Sequence, residues 1–244
     1  MNPSRVAWLG PGDPADAFPD VSDAMQEPNG LLAAGGDLSS QRLLYAYRKG
    51  IFPWFDEGQP ILWWSPDPRC VLRPADFNTS SRLRRSMAAT DATISINQSF
   101  SEIMHACAGP RRSEQGTWIT PDMIAAYESL WADGWAHSIE VRENGELTGG
   151  IYGLAIGRVF FGESMFSSKS NASKLALLAL CQILEENDFA MIDCQVVSRH
   201  LLTLGAVSLP RAEFASLLES ACPSLTRFDS WPESPIAVRD LRPK

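Results

Sequence analysis

Ser138-Ile139-Glu140-Val141, Asn144-Gly145, Leu147 to Ile156, Gly157, and Val159-Phe160-Phe161-Gly162-Glu163-Ser164-Met165-Phe166 follow one another in the second half of the chain. Residues 138–141 alternate in polarity, as a half-buried strand does. Asn144-Gly145 is a strong hairpin signal, because both central residues of a type I′ turn need positive φ. The chain then returns through 147–156, turns at Gly157 and runs out again through 159–166. These residues predict a three-stranded antiparallel meander.

Working outward, a helix capped near Ser170 or Asn171 runs through Leu175, Leu178 and Ile183. A short strand, Ala190 to Cys194, comes next. A helix near 198–204 and another from Arg211 to about Ser220 follow. On the other side, Thr120-Pro121-Asp122 opens a helix reaching about Asp133, since Thr and Asp favour a helix start and Pro fits its first turn. Its apolar stripe is Met123, Ala126, Tyr127 and Leu130. Residues 81–89 and 99–108 read as helices, and 93–96 as a strand. A meander, then a helix, then a strand indicates an α+β domain rather than a doubly wound sheet.

Farther upstream the pattern is looser. Residues 1–36 are rich in turn formers, broken at Pro28-Asn29-Gly30 and Gly35-Gly36. Asp37 is placed to cap a helix through Leu43, Tyr45 and Tyr47 that ends near Gly50. The proline-rich stretches 51–55 and 61–66 are irregular or short-stranded. A boundary falls near 64–72, giving a small N-terminal domain, 1–68, and a larger one, 69–244.

Composition limits the function. The chain has 244 residues, 45% of them hydrophobic, which is enough to bury an ordinary core. A net charge of -8 argues against a surface coated in nucleic acid. The balance is uneven, however: Arg82, Arg84 and Arg85 lie within four positions, and Arg111 and Arg112 are adjacent. Such clusters are either a local phosphate-binding patch or a solvated charged face. The five cysteines include no CxxC pair, and with three scattered histidines no zinc spacing appears. Free thiols in a reducing cytoplasm are the simplest account. Neither a signal peptide nor a membrane-length apolar run is present, so a soluble cytoplasmic protein is expected.

Two carboxylates stand out. Glu163 sits in a run that is otherwise small or apolar. It either faces water at a strand end or is placed to meet a cation or a reacting amine. Asp193 ends an apolar strand, and alternation would put Asp193 and Gln195 on one face. Glutamine is not basic, but it can accept a hydrogen bond from an attacking amine. Asp193 could fix its orientation or relay charge. The plainer alternative is an ordinary turn pair. Trp54, Trp63, Trp64 and Trp118 accompany Phe52 and Phe55. On composition two of the four tryptophans belong in a core, yet aromatic faces also stack on unpaired bases, at about 1–3 kcal/mol each. No GxSxG elbow, P-loop, HExxH or GxGxxG is present, so no nucleotide or metal cofactor is implied.

Taken together, several segments resemble the leucyl/phenylalanyl-tRNA–protein transferase family. They are 27–32, Gly35-Gly36-Asp37-Leu38, 47–55, 61–69, Gly116-Thr117-Trp118-Ile119-Thr120, His137-Ser138-Ile139-Glu140, Gly162 to Ser167, Asn171-Ala172-Ser173-Lys174, and Ile192-Asp193-Cys194-Gln195. Their order and spacing extend over most of 27–214. The resemblance implies a small N-terminal domain attached to a larger domain shaped like the GNAT acyltransferases, with a mixed, largely antiparallel sheet. It implies no acyl-CoA and no cofactor. The donor would be Leu-tRNA or Phe-tRNA, with Met-tRNA weaker. The acceptor would be a protein beginning with Arg or Lys, whose product is marked for degradation. By the same analogy Asp193 and Gln195 would align or deprotonate the acceptor amine, and Glu163 would position the donor or the cationic acceptor. Ile151, Gly162, Met165 and Ser167 would form the amino-acid pocket; relatives can carry Met at position 151. Trp54 and Trp118 would lie near the terminal adenosine, and Arg82, Arg84 and Arg85 on acceptor-stem phosphates. Two other readings are an acetyl-CoA-dependent GNAT enzyme, for which 166–170 lacks a glycine-rich loop, and a non-catalytic tRNA- or N-degron-binding module. Nothing in the sequence demands a dimer.

Overall fold

A computed structural model describes residues 6–10, 12–109 and 118–243. The Arg111-Arg112 pair and Gly116-Thr117 lie outside the described residues. The first part of the chain builds a four-stranded sheet from β1 (Ala7–Leu9), β2 (Leu31–Gly35), β3 (Phe52–Pro53) and β4 (Leu62–Trp64), with helix α1 (Ser40–Arg48) between β2 and β3. Strands β1 and β2 thus fall in a region whose turn formers predict none. The side chain of Ser39, not Asp37, caps α1 by accepting from the Arg42 amide. Asp37 instead accepts the Ser39 amide, fixing the chain just before the helix.

The rest forms a second sheet and its helices. In chain order these are β5 (Arg69–Leu72), α2 (Ser81–Ala88), β6 (Thr93–Ile96), α3 (Phe100–Ala108), α4 (Pro121–Ala132), β7 (Ala136–Glu143), β8 (Glu146–Ile156) and β9 (Val159–Ser167). They continue with α5 (Ala172–Glu186), β10 (Met191–Gln195), α6 (Arg199–Thr203), β11 (Val207–Leu209), α7 (Arg211–Ala221) and β12 (Ile236–Ala237). The strand order is β11-β5-β10-β9-β8-β7-β6-β12. Only β10 runs parallel to a neighbour, β9; the other pairings of this sheet are antiparallel. The α+β class is therefore present in the sheet itself. Asn144 and Gly145 have φ of 53° and 82°, as their tight turn requires.

The sheet separates two apolar clusters. One joins Leu43, Tyr47 and Trp63 of the first part to Tyr127, Tyr152 and Phe161 of the second. The other packs α5 against the opposite face, with Ile151, Phe160 and Ile192. Helix α5 comes very close to β8: a Cβ on Gly149 would lie 2.5 Å from the Cβ of Ala172.

Two bulges and one divergence shape the site. The last parallel pair of β9 and β10 is Phe161 with Asp193. Beyond it the two strands no longer pair, although β9 continues to Ser167 and β10 to Gln195. In β9 the register against β8 slips between Gly162 and Ser164, so Glu163 is the extra residue. In β10 the register against β5 slips between Asp193 and Gln195, so Cys194 is the extra residue. A bulge re-aims side chains that strict alternation would send elsewhere.

Candidate active site

Glu163 is turned inward by its bulge and is only 9% exposed. The Tyr127 hydroxyl donates to its Oε2 at 2.9 Å, and Gln195 Nε2 donates to its Oε1 at 2.7 Å. Tyr47 hydrogen-bonds the Tyr127 hydroxyl in turn. Burial disfavours the carboxylate charge, while Tyr47, Tyr127 and Gln195 favour it. Burial prevails, lifting Glu163 from 4.5 to about 7. The same burial and the nearby carboxylate push both tyrosine hydroxyls well above their ordinary range, so they remain neutral donors.

Asp193 is placed differently. It is wholly buried and gripped by Arg69, with Nε on Oδ1 at 2.8 Å and Nη2 on Oδ2 at 2.6 Å. The remaining Arg69 nitrogen, Nη1, donates to the Gly50 carbonyl at 2.9 Å, tying the pair to the end of α1. Phe52 and Phe214 cover the guanidinium, with ring centroids 4.8 and 4.6 Å away. Asp193 Oδ1 also accepts the Gln195 backbone amide at 2.9 Å. Gln195 has φ of 62°, a left-handed conformation that this bond helps to hold. The expected shared face of Asp193 and Gln195 is not what forms. The bulge at Cys194 breaks the alternation, so Asp193 faces Arg69 while the Gln195 side chain faces Glu163.

Gln195 stands between two hollows. The first, about 120 Å³, has apolar walls from Ile151, Met165, Leu177, Ile192 and Leu201. Gly162, Glu163, Cys194 and Gln195 also line it. The second, about 150 Å³, is lined by Phe52, Pro53, Trp54, Trp118, Gln195 and Val196. Trp54 is 45% exposed and leans on Trp64, whose indole N–H donates to the Trp54 carbonyl at 2.7 Å. Trp63 is fully buried, its indole N–H on the Gly35 carbonyl at 2.9 Å. A larger hollow of about 520 Å³, lined in part by Tyr45, Arg48, Lys49 and Glu219, holds neither Glu163 nor Gln195. Among the described residues no group of three or more His, Cys, Asp or Glu is arranged for a metal.

Comparison with known proteins bears on this arrangement. Residues 71–219 match the family described as leucyl/phenylalanyl-tRNA protein transferase, and residues 36–67 match that family's N-terminal domain. A leucyl/phenylalanyl-tRNA–protein transferase of Nitrosospira multiformis is 51% identical over 226 residues, 93% of this chain and 96% of that protein. Its counterpart in Azotobacter vinelandii is 53% identical over 202 residues, 83% of this chain and 89% of the relative. The chain belongs to the leucyl/phenylalanyl-tRNA–protein transferase family. Among solved structures, a GCN5-related N-acetyltransferase from Kribbella flavida gives a TM-score of 0.37 at 12% identity, over 68% of this chain and 58% of that one.

In this member of the transferase family, the sequence-selected residues fall into three groups. Glu163, Gln195, Ile151, Gly162 and Met165 share the apolar hollow, and Trp54 and Trp118 share the aromatic one with Gln195. Asp193 stands directly behind them. Ser167 lies outside the lining: its hydroxyl donates to the Lys169 carbonyl and accepts the Ser173 amide, securing the start of α5. Arg82, Arg84 and Arg85 are exposed on α2 and line neither hollow.

Three residues central to the geometry escape sequence reasoning. Tyr47 and Tyr127 read as members of apolar helix stripes. The available signal is that a buried tyrosine needs a partner for its hydroxyl. Arg69 immediately precedes the apolar Cys70-Val71-Leu72 run, the same kind of misplaced charge that marks Glu163.

Proposed function

We propose that the chain transfers leucine or phenylalanine, and methionine less well, from aminoacyl-tRNA to the α-amine of proteins beginning with Arg or Lys, marking them for degradation. The observation that carries this is the position of Gln195, shared by an apolar pocket and an aromatic slot, with Glu163 hydrogen-bonded beside it. A terminal adenine stacked between Trp54 and Trp118 would direct its aminoacyl side chain past Gln195 into the pocket. The ester carbon then lies at the junction. Pockets of this kind separate neighbouring apolar side chains by only about 1–3 kcal/mol per methylene, so tolerance of several donors follows. Arg82, Arg84 and Arg85 would hold acceptor-stem phosphates. We take the chain to act as a monomer, in the cytoplasm.

The chemistry needs a neutral amine, and an α-amine has a pKa near 8. Glu163, lifted to about 7, is matched to receive its proton at neutral pH. A carboxylate only accepts hydrogen bonds, so the Gln195 amide must turn its NH₂ toward Glu163. Its carbonyl oxygen is thereby left to accept from the incoming amine. The amine nitrogen bonds to the ester carbon and the C–O bond to the ribose breaks; the ribose oxygen takes the proton that the nitrogen gives up as the amide forms and leaves as a hydroxyl, while the proton held by Glu163 returns to solvent. Asp193, sealed behind the site, acts as a positioning residue: it holds the Gln195 backbone in its strained turn.

The test is direct. Purified protein, Phe-tRNA and a peptide beginning with Arg should yield a peptide beginning Phe-Arg. Intact charged tRNA with no extended peptide would refute the proposal. With an acetylated peptide N-terminus no product should form, because no free amine remains.

A further inference from the structure

We infer that Cys70 and Cys194 are a redox pair, joined by a disulfide when the protein meets a hydroperoxide, and that this bond halts aminoacyl transfer. The effect on transfer rests on reading the hollow that Cys194 lines as the aminoacyl pocket. The pairing itself rests on strand geometry. Strands β5 and β10 are antiparallel neighbours; Gln195 stands opposite Cys70, Asp193 opposite Val71, and Cys194 is the residue bulged out between them. In a bulge two residues of one strand oppose a single residue of the other, so Cys194 shares with Gln195 the position across from Cys70. Cross-strand Cα spacings of about 4.5–5.5 Å fall within the span a disulfide bridges. Both sulfurs lie on the α5 side of the sheet: Cys70 belongs to that apolar cluster and Cys194 packs against it, whereas Val71 belongs to the cluster on the other face.

The two thiols influence each other: their interaction lowers the pKa of Cys70 and raises that of Cys194. The Cys194 thiol itself donates to the Ile192 carbonyl at 3.8 Å, so Cys70 does not tie up its proton. Access favours Cys194. It is half-buried and lines the pocket, while the other four cysteines are buried. An oxidant entering the pocket therefore meets Cys194 first. Its sulfur takes the terminal oxygen of the hydroperoxide: an S–O bond forms, the O–O bond breaks, and the thiol proton leaves with the alcohol or water released. Cys70, the more acidic partner, then attacks the sulfenic sulfur. The S–S bond forms, the S–O bond breaks, and hydroxide leaves as water with the Cys70 proton. Two thiols are oxidised and one hydroperoxide is reduced.

An S–S bond of about 2.05 Å is shorter than any non-bonded approach of two thiols, so it draws the bulge toward β5. Gln195 is the next residue along. A displacement of about 1 Å at a reacting group can cost on the order of 100-fold in rate. A thiol reductant would reverse the bond by exchange.

Wild-type protein treated with hydrogen peroxide should lose two hydrogen atoms by intact mass, and peptide mapping should link Cys70 to Cys194. Turnover with Phe-tRNA should fall about tenfold to a hundredfold and return with dithiothreitol. Cys70→Ala and Cys70→Ser should keep basal turnover within about twofold and escape the reversible loss; two variants guard against one packing badly. A link to Cys181 instead, an unlinked sulfinic product, or equal reversible loss in both Cys70 variants would overturn the inference. So would a mapped disulfide with unchanged turnover. Ile151→Trp, which fills the pocket while leaving both cysteines in the chain, separates the two readings. If reduced Ile151→Trp transfers normally, the pocket assignment is at fault and the gating role falls with it; a mapped Cys70–Cys194 bond would still establish the pair.

Discussion

Glu163 is the residue whose surroundings oppose its own charge. With its pKa at about 7, the folded protein holds a proton that the unfolded chain, near 4.5, has already released. Between those values the native state binds more protons, so stability falls as pH rises from about 4.5 to 7 and then levels. The gap corresponds to roughly 3 kcal/mol. Glu163→Gln should therefore flatten the dependence of urea midpoint on pH across this window. It should also reduce kcat/KM about 100-fold or more and remove the limb that rises toward pH 7. A variant that keeps both the slope and the limb would show that another group titrates. Arg69 poses the complementary case. Arg69→Ala leaves Asp193 buried and unpaired, which should cost about 3–5 kcal/mol in chemical denaturation. Arg69→Met combined with Asp193→Leu should recover most of that stability but not turnover, since the Gln195 amide loses its acceptor. At this scale the sequence is a partial guide. An acid in an apolar run identifies Glu163, and the strand-end acid and amide identify Asp193 and Gln195. The partners of these residues come from strands and helices far away in the chain, so the misplaced charge of Arg69 and the hydroxyls of Tyr47 and Tyr127 do not by themselves say which groups they meet.

At the scale of elements, the long periodic segments are legible and the short ones are not. The meander 138–166 and helix α5 follow from alternation, an Asn-Gly turn and a leucine stripe. Strands β11 and β12 span only three and two residues, too few for periodicity to register. The two bulges are equally silent in sequence, because an inserted residue looks like any other until its partner strand is known. They nevertheless decide where Glu163 and Gln195 point. Gly149 shows how tightly these elements are set. The atoms that an added Cβ would meet are the Ala172 Cβ at 2.5 Å, the Ala172 carbonyl carbon at 2.9 Å and the Ser173 nitrogen at 3.0 Å. These belong to the first turn of α5, which cannot rotate aside as a flexible side chain would. Gly149→Ala should thus lower stability by about 1–3 kcal/mol, read as a shift in the urea midpoint. Because Leu177 of the same helix walls the pocket, the variant should also raise the KM for charged tRNA.

Over the whole molecule, charge sets the terms of donor binding. The chain carries a net charge of -8, so a polyanion approaching it at random is repelled. Attraction must come from a local patch, and α2 offers Arg82, Arg84 and Arg85, all exposed. Arg82 and Arg85 are three residues apart and so share one helix face. If the three contact acceptor-stem phosphates, each releases counterions on binding, and log K falls with log salt by about 0.7–0.9 per contact. Replacing all three with Ala should then raise the donor KM and reduce the salt slope by about two, while kcat at saturating tRNA stays unchanged, because the chemistry we propose takes place beside Gln195, away from α2. Trp54→Ala gives the opposite signature. It removes a stacking face worth about 1–3 kcal/mol and no charge, so the KM should rise with the salt slope intact. Donor titrations at several salt concentrations distinguish the two. An unchanged slope in the arginine variant would mean that α2 is a solvated face and that the phosphates are held elsewhere.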